Sequence, residues 1–271
     1  MYIKRLTKFV IILIILSVVF TGCSKDKKES SKTLVVGMEL AYPPFEMTDD
    51  KGVPTGISVD LARAFAKYLN RKLVIKNIAW AGLIPSLKTG KVDIIISSMT
   101  ITEERKKSID FSDPYSRSYL SLLINKNSPV QNIQDLNVKG RKIAVKKGTT
   151  GHIYAQKNLP NAEIMVFDKE NACVLEVVQG KADAFIYDQM TIYKNWKKNR
   201  NTTRAVLKPF QKDFEYWGAA FKKGNNELRE KANAFFKEFK KQGGFNKLAE
   251  KYLSDIKKTF DKLKIPFFFS A

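Results

Sequence analysis

The sequence predicts an α/β protein with two lobes, each built on a largely parallel sheet. At 271 residues the chain is long enough to divide its core between two lobes. Short β-branched runs alternate with amphipathic stretches, a pattern typical of strands joined by crossover helices. The same alternation starts again after Tyr119, so a second lobe is expected to follow the first.

Each lobe has its own set of predicted strands and helices. In the first set, strands are expected at residues 34–36, 73–75 and 92–96, and helices at 58–69 and 83–88. In the second set, strands are expected at residues 120–124, 142–145, 164–167 and 184–187, and helices at 151–157, 171–179 and through Trp196.

One sequence pattern occurs twice, once in each predicted lobe. LIPSLKTGKVDIIISSMTIT at 83–102 and VLEVVQGKADAFIYDQMTIY at 174–193 both read as a helix, a Gly-Lys-x-Asp turn, a buried strand and a polar exit. Ligands of open α/β sheets bind outside the carboxyl ends of the strands. We therefore expect a cleft with polar groups on both walls. A common turn repeated by accident is the alternative reading.

The C-terminal region is predicted to return to the first lobe. From Leu228 the apolar residues again follow helical spacing, which continues after Gly243 as far as Leu253. Helices that cover the first lobe require two chain crossings between the lobes. The last apolar run, IPFFF at 265–269, is unexpected at an exposed end, and we expect a strap packed on the first lobe.

The N-terminus has the layout of a bacterial export signal. Lys4 and Arg5 precede a run at 9–19 that is apolar apart from Ser17, and Phe-Thr-Gly-Cys follows it. Small residues directly before Cys23 resemble a lipobox, in which that cysteine is acylated and becomes the first mature residue. Residues 1–22 are thus the expected signal peptide, and 23–32 a flexible tether without apolar residues after the anchor. Plain secretion and an uncleaved anchor are the alternatives.

Composition excludes several classes of function. The formal net charge is +21, but lysines are scattered through every segment, so nucleic acid is not the expected partner. His152 is the only histidine, which argues against a His-rich metal site or a Ser-His-Asp relay. With Cys23 acylated, Cys173 is the single thiol and no internal disulfide can form. No cofactor and no catalytic residue are expected.

Two charged residues at strand exits suit a zwitterion, which needs a cation for its carboxylate and an anion for its ammonium group. Thr102 can cap a short helix that places Arg105 near the exit of the strand at 92–96, and a guanidinium grips a carboxylate with two parallel bonds. Asp188 ends a buried strand of the second lobe. A structural role for Arg105 and a helix N-cap role for Asp188 stay open.

Further candidate groups lie in loops beside the same strand exits. The Gly148–Gly151 turn, with Thr149 and Thr150, precedes a helix whose backbone amides suit a carboxylate; a simple glycine-rich turn is the alternative. Tyr42 and Trp80 each follow a strand and can enclose a side chain between aromatic faces, although core packing is the commoner fate of an aromatic residue.

Several motifs together resemble the family 3 extracellular solute-binding proteins of polar amino acid ABC transporters. They are GMELAYPPFEM, GISVDLARAFAKYL, WAGLIPSLKTGKVDIIISSMTITEERKKSIDFSDPY, KIAVKKGTTGHIYA, GKADAFIYDQ and WGAAFKKGNNELREKANAFFKEFKKQGG. The resemblance implies the type II periplasmic-binding-protein fold, with a two-strand hinge at 115–119 and 213–217. The hinge would separate a first lobe, 33–114 and 218–255, from a second, 120–212, and leave 256–271 as a tail.

The resemblance also implies roles for single residues. Arg105 would hold the α-carboxylate with Thr100 and Thr150, while Ser98 and Asp188 would receive the α-ammonium group. The remaining expected ligand-binding residues are the pocket positions Tyr42 and Trp80, the often acidic position Glu39, and Met99 and Thr149 beside the strand exits.

The function that this resemblance implies is capture of a free polar amino acid for a permease and an ATPase. The protein is then expected to act as a monomer, outside the cytoplasm, and to be held at the membrane by Cys23. Two alternatives stay open. One is a cyclohexadienyl or arogenate dehydratase-like enzyme, which needs a general acid, for which Glu39 is the candidate. The other is a sensory or adhesive surface lipoprotein.

Overall fold

Two five-stranded sheets organise the fold in a computed structural model that describes residues 32–269. The predicted signal peptide and Cys23 lie outside the described residues. The strands, in chain order, are β1 (Thr33–Met38), β2 (Met47–Thr48), β3 (Pro54–Thr55), β4 (Lys72–Asn77), β5 (Ile94–Ile95), β6 (Ile109–Phe111), β7 (Ser116–Ser118), β8 (Leu120–Asn125), β9 (Lys142–Lys146), β10 (Glu163–Phe167), β11 (Ala184–Asp188), β12 (Thr203–Val206), β13 (Glu215–Trp217) and β14 (Ala220–Lys222).

Helices follow most of the predicted positions, with one short 3₁₀ turn at Gln134–Leu136. The α-helices of the described chain are α1 (Ile57–Tyr68), α2 (Trp80–Lys88), α3 (Glu103–Lys106), α4 (Thr150–Asn158), α5 (Glu170–Val178), α6 (Gln189–Lys198), α7 (Asn226–Lys241) and α8 (Gly244–Lys262).

Both sheets are mixed, so antiparallel strands accompany the largely parallel pairing that the sequence predicts. The first sheet has the order β4-β1-β5-β14-β6, and the second has the order β10-β9-β11-β8-β12. Strands linked through crossover helices are parallel, whereas β14 runs antiparallel to β5 and β6, and β8 runs antiparallel to β11 and β12. The antiparallel strands β8 and β14 each follow a crossing between the lobes and so enter their sheets from the opposite end. The predicted two-lobed α/β class is otherwise confirmed.

A separate antiparallel pair, β7 with β13, connects the two sheets. Its register joins Ser116 to Trp217 and Ser118 to Glu215. The chain passes from the first lobe to the second through β7, and returns through β13 directly before β14. From Thr33 onward the chain belongs to one compact unit.

Helical amphipathicity explains how the first lobe is covered. The apolar face of α1 buries Leu61, Ala62 and Phe65 on the sheet. Helices α7 and α8 pack with α1, as the C-terminal pattern predicted. Helix α8 continues to Lys262, so the helix extends past residue 255, where we expected a tail to begin. Among the helices of residues 32–269, none is both long and apolar enough to cross a bilayer.

Candidate functional site

A cavity lies where strand ends of the two lobes face each other. Its wall on the first lobe follows β1 and β5, and its wall on the second follows β9 and β11. The lining residues are Glu39, Tyr42, Glu46, Trp80, Ser97, Ser98, Thr100, Arg105, Ser118, Leu120, Thr149, Thr150, Tyr187, Asp188, Glu215 and Trp217.

Arg105 lies on the first-lobe wall of this cavity. The Thr102 hydroxyl accepts a hydrogen bond from the Arg105 backbone N–H at 3.2 Å, which is the predicted cap of α3. The guanidinium is buried and donates to the Thr100 carbonyl at 2.6 Å and, across the cleft, to the Gly148 carbonyl at 3.1 Å. Burial lowers the pKa of Arg105 to about 10, so the side chain stays charged at neutral pH.

Asp188 lies on the opposite wall, at the end of β11. Its Oδ1 accepts hydrogen bonds from the backbone N–H groups of Met190 at 2.8 Å and Thr191 at 3.0 Å, so the side chain caps α6. Burial raises the pKa of Asp188. Because both backbone bonds go to Oδ1, Oδ2 accepts no backbone hydrogen bond of the cap. The N-cap role and a ligand role for Asp188 are therefore compatible.

An ion pair spans the cleft between Glu39 and Lys146. The Lys146 ammonium group, at the end of β9, binds Glu39 Oε2 and is almost fully buried. The second Glu39 oxygen accepts the Trp80 backbone N–H at 3.2 Å. The Trp80 indole N–H donates to the Gly148 carbonyl at 3.2 Å, and its ring lies 5.2 Å from the Arg105 guanidinium. Trp80 thus contacts both lobes.

Among the carboxylic acids that line this cavity, Glu46 is the most deeply buried. Glu46 is 1% exposed and accepts the hydroxyls of Ser98 at 3.1 Å and Ser97 at 3.4 Å. Burial raises the pKa of Glu46 to about 8, despite the hydroxyl hydrogen bonds that lower it. Glu39 is paired with Lys146, so the view of Glu39 as an unpaired acid of the cleft is wrong.

A second unpredicted carboxylate, Glu215, lies on β13. It accepts the hydroxyls of Thr100 at 3.2 Å and Thr150 at 2.9 Å, and these two threonines belong to different lobes. Burial raises the pKa of Glu215, while the charge of Arg105 lowers it. Its residue type and its spacing in the sequence are those of an ordinary polar residue on an edge strand. Only the folded structure therefore shows that Glu215 lines the cavity.

Met99 is the one predicted ligand-binding residue that does not line the cavity. Its side chain is fully buried in the core of the first lobe with Leu83, Leu87 and Ile109. The backbone turns at Ser98, whose φ of 48° lies in the left-handed region that few non-glycine residues adopt. Ser98 and Thr100 line the cavity, whereas the apolar side chain between them points to the core. The Met99 side chain therefore does not contribute to the cavity wall, and a ligand-binding role for this residue stays a prediction.

The described chain shows no cluster of three or more His, Cys, Asp or Glu side chains that could hold a metal ion. The cavity instead presents separated groups of both signs. Arg105 supplies positive charge, and Asp188, Glu39 and Glu215 supply carboxyl groups, of which Glu39 is paired with Lys146. Such an arrangement can bind opposite charges at different ends of a small molecule.

Comparisons with known proteins give the same family that the motifs resemble. The family model for bacterial extracellular solute-binding proteins, family 3, matches residues 34–255. The L-cystine-binding protein of Escherichia coli strain K12 is 31% identical over 236 residues, which cover 86% of this chain and 87% of the relative. The ABC transporter glutamine-binding protein of Bacillus subtilis strain 168 is 32% identical over 203 residues, with 74% and 73% covered.

A solved structure shares the fold over most of the chain. It is an ancestral amino acid-binding protein, a precursor of cyclohexadienyl dehydratase, with 39% sequence identity and a TM-score of 0.74. The match covers 82% of this chain and 95% of the ancestral chain.

Proposed function

Because the chain belongs to the bacterial extracellular solute-binding proteins of family 3, we propose that it captures a free polar amino acid and delivers it to an ABC permease. The observation that carries this proposal is the placement of Arg105 and Asp188 on opposite walls of one cavity. The Arg105 guanidinium receives the α-carboxylate, and Oδ2 of Asp188 receives the α-ammonium group. Binding, without catalysis, is the whole of the proposed activity.

Ligand binding is then coupled to closure of the two lobes. The division that we propose places residues 33–114 and 218–255 in the first lobe and 120–212 in the second, with hinges at 115–119 and 213–217. The pairing of β7 with β13 supports this division, since both crossings lie side by side. A zwitterion that bridges Arg105 and Asp188 makes contacts in the closed state that an open state does not offer, and so favours closure. The permease then recognises the closed conformation.

Groups of the cavity pair with each other in the structure. The Arg105 guanidinium donates to the Gly148 carbonyl, and the Thr150 hydroxyl donates to Glu215. A ligand carboxylate must replace the Gly148 carbonyl as the partner of Arg105. Such an exchange is favourable because a charge-assisted hydrogen bond is stronger than one to a neutral carbonyl.

The proposed location is the outer face of a membrane, where the protein acts as a monomer held through acylated Cys23. The export-like N-terminal sequence supports this placement. The lipid would keep the binding protein beside the permease, and residues 24–32 would serve as the tether. Cys23→Ser is expected to release the protein into the medium; a variant that stays in the membrane fraction would contradict the anchor.

A melting-temperature screen against the twenty amino acids and L-cystine tests the function. A ligand that binds only the folded state raises the melting temperature by mass action, and a concentration of 100 times Kd adds about 2.7 kcal/mol. We expect a shift with a small set of polar amino acids, followed by calorimetric titration of each. If no compound in the panel moves the transition, amino acid capture is wrong.

A dehydratase-like enzyme is the second candidate, and the raised pKa of Glu46 is the observation that favours it. A carboxyl group that is neutral at pH 7 can donate a proton, and the ancestral relative is a precursor of cyclohexadienyl dehydratase. Both carboxyl oxygens of Glu46 already accept a serine hydroxyl, however, from Ser97 and Ser98, which leaves the group less free to act on a bound molecule. Turnover of prephenate or arogenate by the purified protein would establish this activity in place of capture.

A further inference from the structure

The phenylalanine-rich end of the chain packs against the strand pair that joins the lobes. After α8 the chain turns at Lys264, whose φ is 54°, and continues without regular secondary structure to Phe269. These residues lie beyond the part of the chain that the family model matches, which ends at residue 255. We call residues 265–269 the C-terminal brace.

Hydrogen bonds attach the C-terminal brace to β7. The Phe268 carbonyl accepts the Arg117 backbone N–H at 3.1 Å and the Ser116 hydroxyl at 3.2 Å. The Phe267 carbonyl accepts the Arg117 Nε at 3.1 Å. Since β13 pairs with the other edge of β7, the C-terminal brace occupies the edge that the two-stranded pair leaves open.

The Phe268 ring also reaches the second crossing strand. It is 1% exposed, and its centroid lies 5.5 Å from the Trp217 ring of β13 and 4.9 Å from the Phe45 ring. Phe45 in turn stacks on Tyr42 at 5.1 Å. Trp217 and Tyr42 line the cavity, whereas Phe268 and Phe45 do not. Phe268 therefore lies one layer of aromatic rings behind the cavity wall.

We propose that the C-terminal brace, with Phe268 at its centre, holds β7 and the Trp217 wall in the closed arrangement and so slows the escape of the bound molecule. The inference rests on the ligand-capture function proposed above. Phe268 acts through Trp217 and the hinge strands, which makes it a positioning residue rather than a ligand-binding one.

The physical reason is that one buried residue ties both hinge strands to the first lobe, through Arg117 of β7, Trp217 of β13 and Phe45. Rotation of the lobes changes the backbone angles of β7 and β13. The Arg117–Phe268 backbone bond and the Phe268–Trp217 ring contact both depend on those angles. Any opening that breaks them costs free energy, so contacts of this segment shift the population toward closure.

Phe268→Ala tests the proposal, with Leu263→Ala as the matched control. Leu263 is a nearby apolar residue, but it is 47% exposed and lies outside the C-terminal brace. For each protein we would measure the calorimetric Kd and the stopped-flow dissociation rate of the amino acid that gives the largest melting shift. We would also measure hydrogen exchange of residues 115–119 without ligand, which reads the hinge directly.

For Phe268→Ala we expect Kd to rise about tenfold, mainly because the ligand dissociates faster. A change of this size corresponds to the net contribution of about one lost contact. Ligand-free exchange at 115–119 should become faster, Phe268→Leu should restore most of both values, and Leu263→Ala should match wild type. If Phe268→Ala does not fold, Ser116→Ala removes one hydrogen bond to the Phe268 carbonyl and should shift both values in the same direction.

Unchanged hydrogen exchange at 115–119 in a folded Phe268→Ala protein overturns the inference, even if the melting temperature falls. Wild-type affinity and dissociation in that variant overturn it equally. If the wild-type protein binds no amino acid, the proposed capture function is wrong, and so is the proposed effect on ligand escape. Faster hydrogen exchange at 115–119 in ligand-free Phe268→Ala would in that case show only that Phe268 contacts the hinge.

Discussion

The carboxyl group of Glu46 has a pH dependence that can be measured without any ligand. Its folded-state pKa is about 8 and its unfolded value is near 4.5, so the folded protein holds a proton that the unfolded chain releases between these values. The contribution of this group to stability is complete below pH 4.5 and is lost as the pH rises to 8. In this window the free energy of unfolding falls by at most about 1.4 kcal/mol per pH unit for a single group.

Glu46→Gln removes this titration while it keeps the shape of the side chain. We expect the variant to gain stability relative to wild type steadily from pH 5 to pH 8, with no further relative change above pH 9. Urea unfolding at a series of pH values measures it. A constant difference between the two proteins across this range would show that Glu46 is already ionised in the folded state.

Arg105→Met should strongly weaken the binding of every amino acid in the panel. Truncation of a buried charged partner costs about 2–5 kcal/mol, which is a loss in affinity of roughly 30-fold to several thousand-fold. Calorimetry measures the loss, and circular dichroism establishes that the variant is folded. Lys106→Met is the control, because the neighbouring Lys106 side chain is 47% exposed and pairs with Glu103 outside the cavity. Wild-type affinity in Arg105→Met would refute the assigned role.

At Asp188, two substitutions separate the cap from the ligand role. Asn keeps a side-chain oxygen for the N–H groups of Met190 and Thr191 but removes the charge, whereas Ala removes both. We expect Asp188→Asn to bind at least tenfold more weakly with little change in stability, and Asp188→Ala to lose about 1 kcal/mol of stability as well. Titration and urea unfolding of both variants measure the two effects. Equal affinity of the Asp188→Asn variant and the wild-type protein would leave Asp188 with the cap alone.

Single residues show where sequence reasoning succeeds and where it stops. The Thr102 cap and the strand-end position of Asp188 follow from neighbours within a few residues, and both are present. Lys146 and Glu215 were not predicted, because their burial depends on partners more than 60 positions away in the chain. Lysine and glutamate are also usually exposed to solvent, so their residue types alone predict a surface position rather than a buried one in the cleft.

At the scale of elements, the contact between α4 and β11 is unusually close. A Cβ on Gly151, near the start of α4, would lie 2.6 Å from the Ile186 carbonyl oxygen of β11. Gly151→Ala must therefore push the helix away from the strand that ends in Asp188. Gln156, an exposed residue of the same helix, offers a control position.

We expect Gly151→Ala to lose about 1–3 kcal/mol of stability and several-fold in affinity. Gln156→Ala should change neither. Thermal unfolding and calorimetric titration of both variants measure these effects. A stable Gly151→Ala protein with normal binding would mean that α4 can shift without moving Asp188.

Strands and helices could be predicted where the local hydrophobic pattern of the sequence determines them. The strand at 120–124 and the helix at 58–69 agree with β8 and α1 to within one or two residues. Sheet direction was not predictable in the same way, since β8 and β14 are antiparallel only because each follows a crossing between lobes. The end of α8 was placed too early because its last turns are lysine-rich, and Phe260 alone remains buried there.

At the scale of the whole molecule, ligand binding should make the protein more compact. If the lobes close on the ligand, the radius of gyration in solution decreases when a bound amino acid is added. Small-angle X-ray scattering of wild type with and without ligand measures it, and Arg105→Met under the same conditions is the control. A radius that stays the same with saturating ligand would show that capture does not require closure of the hinge.

The position of β14 within the first sheet has a consequence for biogenesis. This strand lies between β5 and β6, yet it follows the entire second lobe in the sequence. During synthesis or export from the amino end, the second sheet can assemble from one continuous stretch, while the first remains split until Lys222 has emerged. The first sheet is therefore complete only after the second lobe has been made, and until then β5 and β6 lack the strand that pairs with both of them.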